Sequence, residues 1–231
     1  EDFIHNQLLE RSKNMDLSGF TFIDLFAGIG GLRIPFDELN AKCVFSSEFD
    51  ESAAKTYFDN FGELPSGDIK EIDEKIDIPP FDILLAGFPC QPFSNAGKKL
   101  GFKDLRGTLF GEDICRIIEF HKPKIIFLEN VKGFMNHDDG NTFYVVKSKL
   151  EDLGYHVYSE VLNARDFNIP QNRERIFIIA IKKIKGSKIH YEFPQKINKS
   201  TLVGDILEEN VDKKYTISDK LWEGHKRRRK N

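Results

Sequence analysis

Short apolar runs alternate with longer amphipathic stretches along most of the chain from residue 20 onward. The apolar runs predict six β-strands, at residues 21–26, 42–46, 82–88, 124–128, 157–162 and 175–181. The amphipathic stretches predict helices, at residues 31–40, 52–61, 109–121 and 142–153. Several strands are apolar on both faces, which is typical of strands covered by helices on both sides. The alternation therefore predicts an α/β fold with a doubly wound, mostly parallel sheet.

The two ends of the chain depart from this pattern. Residues 1–18 are polar with scattered apolar positions and predict a lead-in helix. After residue 194 the periodicity weakens, and residues 226–230 are all basic, which is typical of a solvated tail or linker. The sequence therefore predicts one domain over residues 19–194, followed by a linker over residues 195–231.

Composition narrows the class of protein. The chain has 231 residues, of which 40% are hydrophobic and 31% charged, so it has enough apolar residues for a buried core. No apolar run approaches the roughly 18 residues that cross a membrane. The 3 cysteines form no disulfide framework and the 6 histidines are scattered, so we expect a cytoplasmic protein without a metal site. The net charge of −3 gives no overall signature of nucleic-acid binding.

A glycine-rich turn lies where the first predicted strand meets the first helix. Residues 24–31 are DLFAGIGG, and Gly28, Gly30 and Gly31 let the backbone approach a ligand closely. Their GxGG spacing differs from the GxGxxG pattern of dinucleotide-binding proteins. Glu48 ends the second strand, where a carboxylate accepts ribose hydroxyls, although many acidic residues occupy strand ends only for solubility.

Three further residues indicate an adenosine ligand. Asp68 follows the third element, and we place it with Phe26 and Glu48 at successive strand ends, where it can accept a hydrogen bond from an adenine amino group. Phe26 and Phe49 can enclose the ring between their faces, although ordinary core packing is the alternative for each. We therefore expect an adenosine cofactor without a pyrophosphate at this end of the sheet.

A cysteine opens the loop after the strand predicted at residues 82–88. Prolines flank Cys90 in the segment GFPCQPFS and end the strand, which disfavours a packing role and favours an exposed thiol near backbone amides. Cys43 and Cys115 lie inside apolar strand and helix patterns, so we expect both to be packing residues.

An acid and two arginines are predicted near the same edge of the sheet. Glu129 ends the strand predicted at residues 124–128, and Arg173 and Arg175 directly precede the last strand in the segment QNRER. Surface ion pairs between arginine and glutamate are common and usually contribute little to the stability of a protein. The coincidence of cysteine, acid and arginine at strand ends nevertheless favours a catalytic site.

These segments together resemble a known family, the bacterial C5 cytosine DNA methyltransferases of restriction-modification systems. Five motifs occur in the family's order: DLFAGIGG at 24–31, GFPCQPFS at 87–94, RGTLF at 106–110, ENV at 129–131 and QNRER at 171–175. The resemblance covers about residues 20–182. It implies a Rossmann-like fold and methyl transfer from S-adenosylmethionine to carbon 5 of a cytosine.

The resemblance also implies a role for each catalytic residue. Cys90 attacks carbon 6 of a target cytosine that is flipped out of the duplex. Glu129 contacts N3 and the amino group of the ring and holds or shares a proton there. Arg175, supported by Arg173, binds the O2 edge of the ring and orients the acid.

Further contacts follow from the same resemblance. The implied cofactor contacts are Phe26, Ala27, Gly28, Gly30, Gly31, Glu48, Phe49, Asp68, Ile69, Pro89 and Leu109. The loop after Cys90 carries several basic residues and closes on DNA in the family; its implied DNA contacts are Gln91, Ser94, Lys98 and Arg106. We expect double-stranded DNA as partner, no metal or membrane, and a monomer.

Two parts of the family pattern are missing, and three alternatives stay open. Residues 195–231 are too few for the target-recognition domain, so we interpret them as a linker leading to it, and the helix that normally returns to the large domain is not found. A tRNA cytosine-5 methyltransferase matches GFPCQPFS less well. A nicotinamide-dependent oxidoreductase does not explain Cys90 together with Glu129. A catalytically silent DNA-binding module does not explain why both are retained.

Overall fold

The computed structural model describes residues 16–89, 110–186, 189–197 and 201–228. Its strands are β1 (Thr21–Leu25), β2 (Lys42–Ser47), β3 (Ile83–Ala86), β4 (Ile125–Val131), β5 (Tyr155–Asn163) and β6 (Glu174–Lys182). Its α-helices are α1 (Arg33–Glu38), α2 (Glu51–Phe61), α3 (Cys115–His121), α4 (Asn141–Asp152) and α5 (Asp219–Arg228). A π-helical segment, Phe110–Ile114, precedes α3, and short 3₁₀ segments lie at Ile69–Glu71, Lys132–Gly140, Ala164–Phe167, Val203–Ile206 and Lys213–Tyr215.

The strands form one sheet with the order β2-β1-β3-β4-β6-β5. The first four strands pair in parallel. β6 pairs antiparallel with both β4 and β5. The α/β class and the mostly parallel sheet are thus confirmed, and the antiparallel strands are confined to one side of the sheet.

The direction of the last two strands follows from the length of their connection. Only residues 164–173 join β5 to β6. A crossover between parallel strands takes a dozen or more residues and usually a helix, so the shorter connection favours an antiparallel pair. Reading the whole chain as a repeated β-α series missed this reversal.

All six predicted strands are present, with ends shifted by at most a few residues. The helix predicted at residues 31–40 is shorter, Arg33–Glu38, and the one predicted at 109–121 becomes α-helical only from Cys115. Helix α5 lies in the segment interpreted as a linker, where exposed polar residues hid its pattern. Most of the lead-in helix predicted at 1–18 lies outside the described residues.

The sheet is covered on both faces by apolar side chains. Ile23, Leu84 and Ile126 point to the face that α3 and α4 cover, in a cluster that includes Ile117 and Leu150. The neighbouring positions, such as Phe22 and Leu85, point to the opposite face, where Phe36 of α1 packs. This arrangement explains why β3, in the middle of the sheet, is apolar at every position.

The chain divides into two compact units. The first comprises residues 1–163 and 174–195 and contains the whole sheet. The second comprises residues 164–173 and 196–231 and contains α5. Within the second unit, Lys196 Nζ lies 2.7 Å from Asp166 Oδ2, and the Thr201 hydroxyl donates to Asn168 Oδ1 at 2.6 Å.

Candidate cofactor and catalytic site

The order of the strands creates a ligand site at one edge of the sheet. β1 has β2 on one side and β3 on the other, so the chain reverses its direction of winding between them. In open α/β sheets the crevice outside the carboxyl ends of strands at such a point is the usual ligand site. The glycine turn follows β1 and Glu48 follows β2, so both lie at this edge.

The glycine turn has a backbone that few other residues adopt. Gly28 and Gly30 have φ values of +56° and +90°, and Phe26 has a φ of +54°. The Gly30 amide donates to the Ala27 carbonyl at 2.8 Å, and the Ala27 amide donates to Ser47 of β2 at 3.0 Å. The turn is therefore held to the end of β2 by its own main chain.

Glu48 links the turn to the start of α2. Its Oε2 accepts from the Gly28 amide at 2.8 Å, and its Oε1 accepts from the Asp50 amide at 2.9 Å. Each carboxylate oxygen has a second lone pair, so these bonds leave acceptor capacity for ribose hydroxyls. The side chain that the sequence assigned to the ribose is thus fixed in place by backbone amides.

The two aromatic rings differ in exposure. Phe49 is 73% exposed, which leaves a ring face available for stacking, whereas Phe26 is half-buried against the core. Ile69, an expected cofactor contact, is only 2% exposed, so its side chain belongs to the core and only its backbone remains for a ligand.

The sequence interpretation placed Asp68 at the end of a strand, and this placement is wrong. It precedes the 3₁₀ segment Ile69–Glu71, and its Oδ1 accepts from the Lys70 amide at 3.0 Å. The preceding loop is tied to β2, because the Ser47 hydroxyl donates to the Gly67 carbonyl at 3.0 Å. Asp68 therefore reaches the neighbourhood of β2 through a loop.

Glu129 and Arg175 form an ion pair across two strands. Arg175 Nε lies 2.8 Å from Glu129 Oε1, and the two side chains are 23% and 20% exposed. Arg175 lies opposite Val131 in the register, so it is the diagonal neighbour of Glu129 on the same face. Partial burial reduces the screening of this pair by water and salt, compared with an exposed pair.

The antiparallel direction of β6 explains why Arg175 reaches this edge. A parallel strand would place its first residues at the opposite edge, away from the carboxyl end of β4. Because β6 is antiparallel, its amino end pairs with the carboxyl end of β4. The sequence prediction brought Glu129 and Arg175 together correctly, but without the strand reversal that makes this possible.

Asn130 is a site residue to which the sequence gave no role. It is 3% exposed, and its amide nitrogen donates to the Phe88 carbonyl at 2.9 Å. Its side-chain oxygen accepts from the Val131 amide at 2.8 Å. Asn130 thus joins the end of β4 to the backbone two residues before Cys90. A polar residue between Glu129 and an apolar Val131 was the available signal.

Gly87, directly after β3, lies next to the Glu129 side chain. A Cβ built at Gly87 would lie 3.7 Å from Glu129 Oε2. Pro89, the last described residue before Cys90, is exposed. The ends of β3 and β4 therefore place the approach to residue 90 close to the acid.

Several expected site residues lie outside the described residues: Cys90, Gln91, Ser94, Lys98, Arg106 and Leu109. Arg173 is described but belongs to the second unit, where its amide donates to the Gln171 carbonyl at 3.1 Å. The first unit thus contains Glu129 and Arg175, and the support expected from Arg173 stays a prediction.

The two other cysteines have the packing role that the sequence predicted. Cys43 and Cys115 are both buried. Burial raises the pKa of Cys43 to about 11 and that of Cys115 to about 12. Both thiols are therefore protonated near neutral pH and are poor nucleophiles.

Asp24, the fourth residue of β1, is a buried carboxyl to which the sequence assigned no role. It is 1% exposed, and among the described residues neither of its oxygens has a hydrogen-bond partner. Burial raises its pKa to about 8, against the opposing effect of the Arg33 charge. Asp24 is therefore neutral in the folded protein near neutral pH.

No group of metal-binding side chains is present in the part of the chain that the structure describes. None of the helices there is long and apolar enough to cross a membrane.

Comparison with known proteins identifies relatives over nearly the whole chain. A model of the family described as C-5 cytosine-specific DNA methylase matches residues 20–231. The type II methyltransferase M.DsaV of Dactylococcopsis salina is 50% identical over 216 residues, which cover 94% of this chain and 61% of that protein. The type II methyltransferase M.SsoII of Shigella sonnei is 53% identical over 218 residues, which cover 94% of this chain and 57% of that protein.

The fold is shared with solved methyltransferase structures. The crystal structure of S. pombe Dnmt2 methyltransferase superposes with a TM-score of 0.69 at 25% identity, covering 89% of this chain and 67% of that one. The chain itself spans less than two thirds of the length of M.DsaV and M.SsoII.

Proposed function

Because this chain belongs to the C-5 cytosine-specific DNA methylase family, we propose that it is the catalytic part of an enzyme that transfers a methyl group from S-adenosylmethionine to carbon 5 of cytosine in double-stranded DNA. The observation that carries the proposal is the Glu129–Arg175 ion pair beside the end of β3, from which the chain runs into Cys90. The names of its relatives as type II methyltransferases support a role in restriction-modification.

The residues at the glycine turn fit an adenosine cofactor. The Glu48 carboxylate is fixed and retains acceptor capacity for the ribose, and the exposed Phe49 ring offers a stacking face for the adenine. Gly28, Gly30 and Gly31 allow close approach of the main chain. S-adenosylmethionine supplies the methyl group when it is bound, and we assign Asp68 to the adenine amino group.

Cys90 is the proposed nucleophile. Its thiolate adds to carbon 6 of the cytosine, which makes carbon 5 electron-rich and able to accept the methyl group. Loss of the carbon 5 proton and departure of the Cys90 thiolate then restore the ring. Among the three cysteines, Cys43 and Cys115 are excluded from this role by their burial.

Glu129 and Arg175 stabilise the charge that this addition creates. Glu129 holds or shares a proton at N3 of the ring, while Arg175 orients the carboxylate and binds the O2 edge. Their 2.8 Å contact fixes the acid before the base arrives, which is the preorganisation that such catalysis needs. Asn130 holds the backbone that leads to Cys90 in register with this acid.

The target cytosine can reach these groups only when it is flipped out of the DNA duplex. We assign the DNA contacts around it to Gln91, Ser94, Lys98 and Arg106, and support of Arg175 to Arg173. We also propose that the protein is cytoplasmic and acts as a monomer. Sedimentation with and without DNA tests the monomeric state.

Methyl transfer from labelled S-adenosylmethionine by the full-length protein tests the proposal. Duplex DNA should be labelled at cytosine carbon 5, tRNA should not, and Cys90→Ser should abolish the labelling of DNA. Labelling of tRNA alone would replace the proposed substrate. Absence of transfer to either nucleic acid, with the cofactor bound, would favour a catalytically silent DNA-binding module.

A further inference from the structure

The glycine turn is contacted from behind by the last residues of α2. The side-chain nitrogen of Asn60, Nδ2, donates to the Ile29 carbonyl at 3.1 Å. The ring of Phe61 lies directly against Gly30, since a Cβ built at Gly30 would be 2.0 Å from a carbon of that ring. The position of Gly30 therefore depends on where the Phe61 ring lies.

Arg33 in turn fixes the Phe61 ring. The centre of its guanidinium lies 4.4 Å from the centroid of that ring. Its Nε donates to Asp37 Oδ2 at 2.7 Å, and its Nη1 donates to Glu63 Oε2 at 2.9 Å and to the Tyr57 hydroxyl at 3.1 Å. The guanidinium is thus held from two elements, α1 and the segment from α2 to Glu63, while its face covers Phe61.

The burial of Arg33 makes this arrangement specific. The residue is 6% exposed, although a charged side chain is almost never this buried without several partners. Burial alone lowers the pKa of Arg33, but the hydrogen bonds that it donates to Glu63, Tyr57 and Asp37 raise that pKa above its ordinary value. The guanidinium therefore stays charged, planar and in one orientation, which a flexible lysine would not reproduce.

The start of Arg33's own helix also joins the turn. The Arg33 amide donates to the Gly30 carbonyl at 3.1 Å. Gly30 is thus bonded to the main chain of Arg33 on one side and packed against the ring beneath its guanidinium on the other. Glu48, three residues before α2, fixes Gly28, so groups at or near the two ends of α2 hold two of the three glycines of this turn.

We propose that Arg33 is a positioning residue for the cofactor: it holds Phe61 against Gly30 and so keeps the backbone of the glycine turn in the geometry that binds S-adenosylmethionine. This inference rests on the proposed function, since it takes the turn as the cofactor site. Arg33 acts through Phe61 and touches no reacting group.

Titration calorimetry of the full-length protein with S-adenosylhomocysteine tests the proposal. Arg33→Met should raise the Kd about tenfold, and Arg33→Lys about threefold, because lysine keeps the charge but loses the planar stack. The number of sites per chain should stay near that of the parent protein. The matched control is Lys55→Met. This change breaks an exposed ion pair between Lys55 and Asp59 within α2 and should leave the Kd unchanged.

Stoichiometry separates positioning from a purely structural role. A structural role would lower the fraction of competent protein, hence the number of sites, while the remaining sites kept the parent Kd; that result would overturn the proposal. If Arg33→Met does not fold, the exposed residue Asn60 provides a second variant. Asn60→Ala removes the bond to Ile29 and should raise the Kd about threefold at unchanged stoichiometry; an unchanged Kd would then contradict the role of this helix end.

Binding by the parent protein separates failure of the proposed cofactor site from failure of the role proposed for Arg33. Failure of the parent protein to bind S-adenosylhomocysteine would refute the cofactor site itself and this inference with it. Normal binding by the parent and equal binding by Arg33→Met would refute the role of Arg33 alone. In steady-state assays, Arg33→Met should raise the KM for S-adenosylmethionine about tenfold with little change in kcat.

Discussion

The candidate site lies along one edge of the sheet, and two halves of this edge hold their polar groups in different ways. In the glycine-turn half, at the ends of β1 and β2, main-chain amides bond to Glu48 and fix it. In the acid half, at the ends of β4 and β6, two partly exposed side chains, Glu129 and Arg175, bond to each other. A main-chain scaffold suits the binding of a constant ligand, whereas a side-chain pair can shift its charge during a reaction. Substitutions in the first half should therefore change binding, and those in the second should change turnover.

The largest effect is expected in the acid half. Glu129→Gln keeps a hydrogen bond to Arg175 but cannot share a proton with the ring, so we expect kcat to fall about 100-fold. The Kd for S-adenosylhomocysteine should not change, because Glu129 lies outside the glycine-turn half. Rapid-quench assays and calorimetry measure the two quantities.

The control for this variant is Lys132→Met. It removes the exposed Lys132–Glu174 ion pair, whose 2.8 Å contact joins the same region of β4 and β6. Exposed pairs contribute little, so kcat should stay within about twofold of the parent value. Weakened cofactor binding by Glu129→Gln at unchanged kcat would contradict the division between the halves.

In the glycine-turn half, an effect on folding rather than on turnover is expected. Gly30→Ala places a Cβ 2.0 Å from the Phe61 ring at a φ of +90°. Overpacking and the unfavourable φ should together lower the free energy of unfolding by about 3 kcal/mol. Urea denaturation measures this loss.

Gly31→Ala is the matched control, because a Cβ at Gly31 meets no atom within 4 Å. It should change the free energy of unfolding by less than about 1 kcal/mol. Equal stability of the two variants would show that the turn adjusts its backbone freely and is not the rigid half of the comparison.

The two halves also differ in how far their structure could be predicted from the sequence. Glu48 lies 20 residues after Gly28, one strand away, and the β-α alternation alone placed both at one edge. The contact of Phe61 with Gly30 joins residues that the helical pattern does not relate. The sequence assigned no role to Arg33, because its burial depends on Tyr57 and Glu63, which lie 24 and 30 residues further along the chain.

The acid half required information that periodicity does not carry. The pattern placed β6 correctly but not its direction, which depends on the short connection from β5. Asp68 was placed at a strand end because hydrophobic periodicity gives no indication of a loop tied to β2. Motif order therefore named Glu129 and Arg175, which the structure brings together, whereas the pattern of elements did not explain how they meet.

An effect that depends on pH concerns the buried carboxyl behind the glycine turn. Burial raises the pKa of Asp24 to about 8, whereas an unfolded aspartate loses its proton near pH ~4. The folded protein therefore holds one more proton between these values, and its stability falls as the pH rises through that window. Asp24→Asn cannot titrate, so it should gain stability relative to the parent by up to about 1.4 kcal/mol per pH unit.

Urea denaturation of both proteins across the window between about pH 5 and about pH 8 measures this difference. Asp59→Asn, at an exposed position of α2, is the control and should show no such trend. A stability difference between Asp24→Asn and the parent that stays constant with pH would mean that Asp24 is ionised in the folded protein.

The identity of the nucleophile is the central claim, and a trapped adduct tests it most directly. Fluorine at carbon 5 cannot leave as a proton does, so duplex DNA containing 5-fluorocytosine should remain bound to the full-length enzyme in the presence of S-adenosylmethionine. Mass spectrometry of the digested adduct should place the bond on Cys90. A bond on Cys43 or Cys115, or methylation of ordinary DNA with no adduct on the fluorinated substrate, would contradict the account.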